Sequence, residues 1–185
     1  MKIVTNILVF NLLILLLNVL AVNAQKFRVT RIPAPGGEVV FANPGERDEM
    51  YDKLTYAAAR RAGDFVFLAG VEAGPEKGEG TNPEAFKIQL RRAFIAIKNS
   101  LTASGATFSQ VVQMQTFHNC KTPNFKGDFN AQLEALIAVK SEFMKGPYST
   151  WTAVCIDRHY SDNTVVEIQM TAYAPKTKAR RSGRK

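Results

Sequence analysis

Apolar and polar positions divide the chain into three zones. Residues 3–22 are almost wholly aliphatic, broken only by Thr5, Asn6, Asn11 and Asn18. Residues 25–55 are polar and carry Pro33, Pro35, Gly36, Gly37, Pro44 and Gly45 as breakers, with room for short extended pieces at 27–32 and 38–41. From Tyr56 onward the apolar positions become periodic. Residues 56–61 and 65–69 flank a turn at Ala62-Gly63-Asp64 and read as a hairpin. The glycine-rich stretch 74–80 is a loop. Phe86, Leu90, Phe94, Ile97 and Leu101 then recur at helical spacing, with Thr81 and Glu84 as a capping box, Pro83 in the first turn and Gly105 as the stop. Residues 111–117 read as a strand. A second helix is predicted over 125–144, with Asn124 as its cap and Phe129, Leu133, Leu136 and Phe143 on its apolar side, ended by Gly146-Pro147. Strands at 149–156 and 164–173 complete the pattern.

The implied order is β-β-α-β-α-β-β, an α/β domain with a single mixed sheet. Both helices are expected to join neighbouring parallel strands by right-handed crossovers, and so to cover the same face. The strands are nonetheless apolar on both sides: Phe65 and Phe67 oppose Val66 and Leu68, and Ala153 and Cys155 oppose Val154 and Ile156. A sheet of this kind needs a second layer. Another copy of the chain is its simplest supplier, so the pattern predicts an oligomer.

Composition changes this picture at the two ends. Met1-Lys2, the aliphatic run and Val22-Asn23-Ala24 before Gln25 have the layout of a cleaved export signal over residues 1–24. A retained membrane anchor is the rival reading, because about 20 apolar residues can span a bilayer. The abrupt change to polar sequence favours cleavage and a periplasmic or secreted mature protein of 161 residues. The chain then divides into the signal (1–24), a polar extension (25–55), one domain (56–175) and a basic tail (176–185). The net charge of +8 belongs to the ends: without Lys2 and the six basic residues of the tail, 17 basic residues face 16 acidic ones. The tail reads as a solvated, unfolded block that could hold nucleic acid or an anionic surface only weakly. Cys120 and Cys155 could pair in an oxidising compartment. Both fall in or beside strands, where buried free thiols are common, and they are read here as unpaired.

Little in the chain has the spacing of known catalytic motifs. There is no P-loop, dinucleotide fingerprint, G-x-S-x-G or C-x-x-C, and His118 and His159 lie far apart, so no metal framework is expected. His118 and Cys120 at one strand end give a weak metal or nucleophile hint, with a strand terminus meeting a loop as the plainer reading. The last strand is more informative. Its alternation puts Val166, Ile168, Met170 and Ala172 towards the helices and Val165, Glu167, Gln169, Thr171 and Tyr173 towards the uncovered face. A carboxylate there is either an ion-pair member or a site group.

A resemblance adds to this reading. Tyr56-Ala57-Ala58-Ala59 leading into Gly63-Asp64-Phe65-Val66-Phe67-Leu68-Ala69-Gly70, then Phe125 with Phe129-Asn130, then the segment from Ala153 to Arg158 followed by Val166-Glu167-Ile168-Gln169, resemble in order and spacing the motifs of the Rid (YjgF-like, reactive intermediate deaminase) family. The resemblance covers residues 56–174. It implies a chorismate-mutase-like fold and a homotrimer with clefts between subunits. It also implies cofactor-free hydrolysis of enamines and imines to 2-oxo acids and ammonia. In the deaminating members an arginine grips the substrate carboxylate, a glutamate positions water, and a tyrosine completes the pocket.

By position the glutamate is Glu167, the tyrosine Tyr56 and the asparagine Asn130. The arginine position holds Trp151, whose single N–H and lack of charge cannot replace a guanidinium fork. Thr150 and Thr152 on either side do not restore the charge, and neither Arg60, Arg61 nor Arg158 can be placed in the cleft from sequence. Trp151 is either a filler of a subunit junction or an aromatic wall that recasts the pocket for a flat or uncharged ligand. Tyr56 and Asn130 carry the same double reading, as packing or local hydrogen-bonding groups or as site groups. Three functions follow: a hydrolase acting on an imine, enamine or related compound other than the usual 2-imino acids; a non-catalytic trimer that binds a small ligand; or a nucleic-acid or surface binder acting through the tail.

Overall fold

The computed structural model describes residues 29–176, and within them eight strands pair into one mixed sheet. The strands are β1 (Thr30–Ala34), β2 (Gly37–Phe41), β3 (Ala59–Ala62), β4 (Phe65–Leu68), β5 (Val71–Ala73), β6 (Val111–Asn119), β7 (Thr150–Ile156) and β8 (Val166–Tyr173). Their order across the sheet is β1-β2-β3-β4-β8-β6-β7, with β5 also paired to β8. Only β6 and β7 run parallel. The stretch read as an export signal and all of the basic tail except Lys176 lie outside the described residues.

Two α-helices, α1 (Pro83–Ala103) and α2 (Phe129–Phe143), pack against each other and against the sheet. The core lies between them and the sheet. Phe86, Leu90, Phe94, Ile97 and Leu101 of α1 are fully buried with Met114, Ile168 and Met170. On the opposite face Phe65, Phe67 and Tyr173 are exposed, their rings 5.3–6.2 Å apart. The expected one-sided helix layer and apolar uncovered face are both present.

Several local expectations change. The first crossover does not join neighbouring strands: β8 lies between β4 and β6, and the alternation of β8 serves antiparallel partners on both sides. The cap of α1 is Asn82 rather than Thr81, its side chain accepting the Ala85 N–H at 2.9 Å. Pro83 forces the residue before it into an extended conformation, so the helix begins at the proline and the cap immediately precedes it. Similarly, α2 starts at Phe129, capped by Asp128. Asn124 instead donates to the Asp162 carbonyl at 2.8 Å, and the buried face of α2 is Gln132, Ala135, Leu136 and Val139. Residues 30–41, expected to offer only extended pieces, form a hairpin that continues the sheet, followed by a π-helical segment, Glu46–Lys53.

Buried Arg61 ties the sheet to the end of α1. Its guanidinium donates to the carbonyls of Ser104 (2.9 Å) and Ala174 (2.8 Å), and among the described residues it meets no carboxylate. Arg31 also donates to the Ala103 carbonyl. No basic residue occupies the last turn of α1 itself, so two strand arginines supply the positive charge that helix carbonyls favour.

Cys120 and Cys155 form a disulfide, with a Cα–Cα distance of 5.6 Å. This overturns the reading of two unpaired thiols. The parallel register sets Cys155 opposite His118, two residues before Cys120, and strand adjacency of that kind is not visible in sequence.

Candidate functional site

The uncovered sheet face carries a group of polar side chains around the junction of β5 and β8. Between β4 and β5 the pairing with β8 slips by one residue: Phe67 faces Thr171, whereas Val71 faces Ile168. A one-residue slip exchanges the faces of every later side chain. Here it sets Glu72 directly opposite Glu167. The slip falls at Ala69-Gly70, where a Cβ on Gly70 would lie 1.7 Å from Glu167 Oε1 and would displace that carboxylate. The glycine leaves the space that the Glu167 carboxylate occupies.

His159 reaches the same carboxylate from the loop between β7 and β8. Its Nδ1 is 3.5 Å from Glu167 Oε2, its side chain is only 1% exposed, and among the described residues neither ring nitrogen has a hydrogen-bond partner. Glu72, His159 and Glu167 each offer a donor atom within 4.8 Å of the others. Ser161, two residues on, donates from Oγ to Glu72 Oε2 at 2.6 Å. The loop is tied down by Asn163 donating to the Pro75 carbonyl and by the Val165 N–H donating to Ala73.

Tyr56 completes the group. Burial pushes its phenol up from the ordinary value, and Glu72, Glu167 and Tyr160 nearby push it the same way. It therefore remains a protonated donor at neutral pH. Its N–H is held by the Met50 carbonyl at 3.0 Å, and Thr55 before it has φ 59°, a left-handed conformation that β-branched residues avoid. Such strain is held only where the surroundings over-determine it.

Trp151 and Asn130 lie on the helix-covered side. Trp151 pairs with Met114 in the β6–β7 register and packs on the main core. Its indole N–H donates to Thr116 Oγ1 at 3.0 Å, and the Lys140 ammonium of α2 lies 4.8 Å from the centre of its ring. The chain of contacts continues from Thr116 Oγ1 to His118 Nε2 and from His118 Nδ1 to Gln132 Oε1, each 3.0 Å. Burial pushes the His118 imidazole below its usual pKa, the Gln132 hydrogen bond opposes that shift, and His159 adds to it. His118 is thus a satisfied core histidine, and the disulfide removes Cys120 as a nucleophile. Asn130 is exposed in the first turn of α2.

Of the four sequence-predicted site residues, Tyr56 and Glu167 lie within electrostatic reach of each other, and Trp151 and Asn130 lie across the sheet. Glu72 and His159 were missed. Glu72 joins the face only because of the slip, and His159 is on a loop with no period to mark it. The arginines that could have replaced the missing guanidinium are engaged elsewhere: Arg60 donates to the Pro35 carbonyl, Arg61 is buried, and Arg158 pairs with Asp162 at 3.1 Å. A shallow groove lined by Val29, Arg31, Lys98 and Thr102 shares none of these residues.

Comparisons with known proteins agree with this architecture. The sequence profile of the family described as Endoribonuclease L-PSP matches residues 47–174. The RutC family protein YjgH of Escherichia coli is 35% identical over 112 residues, covering 60% of this chain and 78% of that protein. The solved structure of protein YjgH superposes with a TM-score of 0.54 at 30% identity, over 70% of this chain and 91% of that one. A YjgF-family protein of Mycobacterium tuberculosis gives a TM-score of 0.55 at 21% identity, covering 68% and 92%, and shows the shared fold.

Proposed function

Because the chain belongs to the Endoribonuclease L-PSP family, to which the YjgF and Rid proteins also belong, we propose that its mature form hydrolyses a small imine or enamine lacking the carboxylate of the usual 2-imino acids. The observation that carries this reading is that the Glu167 carboxylate lies near enough to Tyr56 to raise its phenol pKa, with no free guanidinium among the described residues at hand. Glu167 accepts a proton from water as the oxygen attacks the C=N carbon. The protonated Tyr56 donates to the substrate or to the amine that leaves. The products are a carbonyl compound and ammonia, or the corresponding amine.

The missing charge sets the substrate class. A bidentate arginine both binds and orients a small anion, and its loss removes most of the orientation on which such a reaction depends. Trp151 offers one N–H, already donated to Thr116, and a ring face occupied by Lys140. With both engaged, Trp151 supplies no anchor for an anionic group within its own chain.

Within one chain Trp151 and Asn130 stand across the sheet from Tyr56 and Glu167, so a pocket containing all four needs a neighbouring copy. A homotrimer of the family's kind would supply it and cover Phe65, Phe67 and Tyr173. Export of the mature chain is supported by the 1–24 pattern and by the Cys120–Cys155 disulfide, since such bonds persist in oxidising compartments. A non-catalytic ligand-binding trimer is the second reading, favoured by the same engaged Trp151.

The test is ammonia release from an uncharged imine by the mature protein and its Glu167→Gln variant. At least a hundredfold loss in the variant is expected. Equal rates, or no turnover beside saturable quenching of the sole tryptophan by ligand, would replace hydrolysis with binding alone.

A further inference from the structure

We propose that Glu72, His159 and Glu167 form a site for one divalent transition-metal cation of the Zn2+ class. Three independent features of the site point to it. The first is electrostatic: Glu72 and Glu167 are directly opposed across the β5–β8 ladder, an arrangement that destabilises a sheet when both charges are left uncompensated. Among the described residues no lysine or arginine pairs with either carboxylate.

The second is the imidazole. His159 is buried with both ring nitrogens unpartnered, a costly state for a polar group, and it is aimed at the carboxylates. The 3.5 Å between Nδ1 and Glu167 Oε2 is long for a hydrogen bond. It is close to the separation of about 3.4 Å between two donors held tetrahedrally at about 2.05 Å from one cation.

The third is the way the backbone is cut to fit. The slip at Ala69-Gly70 puts Glu72 on the Glu167 face, Gly70 clears the volume of the Glu167 carboxylate, and Ser161 Oγ orients Glu72 by donating to its Oε2. One imidazole and two carboxylates suit Zn2+, Mn2+ or Fe2+ better than the all-oxygen cations. With both cysteines in the disulfide, no thiolate competes among the described residues. Three protein donors leave a coordination position for water or a ligand, beside Tyr56.

The alternative is that the three side chains hold no metal. The two are separated by calorimetric titration of ZnCl2 and MnCl2 into the tag-free, chelator-stripped mature protein at pH 7, under oxidising conditions. One Zn2+ per chain is expected to bind. Glu72→Gln and His159→Gln should each weaken it at least tenfold, while Glu142→Gln, an exposed acid paired with Arg91, leaves it unchanged. Glu72 is exposed, so its variant keeps the fold and carries the decision if His159→Gln does not fold. Absence of saturable binding, or binding unaltered by Glu72→Gln, overturns the proposal. No substrate is present in this experiment. A protein that binds Zn2+ but hydrolyses no imine would keep this inference and lose the hydrolytic reading.

Discussion

Replacing both cysteines should reveal how much of the stability comes from the bond between β6 and β7. The Cys120–Cys155 link closes a loop with a sequence separation of 35. In the chain-entropy treatment, releasing such a loop in the unfolded state costs about 4 kcal/mol at 25 °C. Cys155 is exposed and Cys120 half-exposed, so alanine at both positions removes little buried surface and leaves the loop term dominant. For a chain of this size that corresponds to a fall in Tm of about 8–16 °C. In urea the midpoint should fall by about 2 M at an m-value near 2 kcal/mol/M. The assay compares parent and Cys120→Ala/Cys155→Ala protein at equal concentration, each with and without reductant. Reductant should lower the parent to the level of the variant and leave the variant unmoved. Two titratable thiols per chain in the unreduced, unfolded parent would refute the reasoning. So would a midpoint that changes by no more than an ordinary surface substitution, within about 0.5 kcal/mol.

Three further perturbations follow from single contacts. Gly70→Ala places a Cβ against the Glu167 carboxylate; because the far end of that side chain can move, stability should fall by about 1 kcal/mol or less while turnover falls at least tenfold, a split read by urea melts beside kinetics. Arg61→Met removes the side chain that donates to both the Ser104 and Ala174 carbonyls and should cost about 3 kcal/mol by the same melts, with unchanged stability as the opposing result. Hydrogen bonds from the Arg92 guanidinium, and then from the Glu76 N–H, hold the Glu79 carboxyl down at about 2. Since its folded value lies below its unfolded one, its contribution is fully present above about pH 4.5 and is lost as pH falls towards 2. Glu79→Gln should flatten that part of the acid limb in a pH series of urea midpoints, and an identical limb would contradict the assignment.

The sequence displays its regular parts well because period is a local property. The alternation on 166–173 assigned each side chain of β8 to its face, Glu167 included, and the 86–101 stripe located α1 and its buried side. What it hides depends on which strands become neighbours. The disulfide arises from the parallel register of β6 and β7, and the Glu72–Glu167 opposition from a slip that no alternation in 65–73 signals. His159 lies in a loop, where burial follows from tertiary packing alone. Cap positions failed for a smaller reason: Thr81 and Asn124 both have capping side chains, but Pro83 and the Gly127-Asp128 pair decide where each helix can begin. The resemblance to the Rid family pointed to Tyr56 and Glu167, whereas the proximity of Glu72 and His159 to Glu167 needed the fold.

The central claim is that this chain keeps the water-activating carboxylate of its family without the anchor for an anionic substrate. Its most direct test is the rate of hydrolysis of freshly generated 2-iminopropanoate beside that of its uncharged amide, each corrected for the uncatalysed reaction, with mature protein. The account predicts turnover of the amide and none of the acid above background. Faster turnover of the acid would mean that another group holds the carboxylate, and that Trp151 does not mark the loss of that anchor.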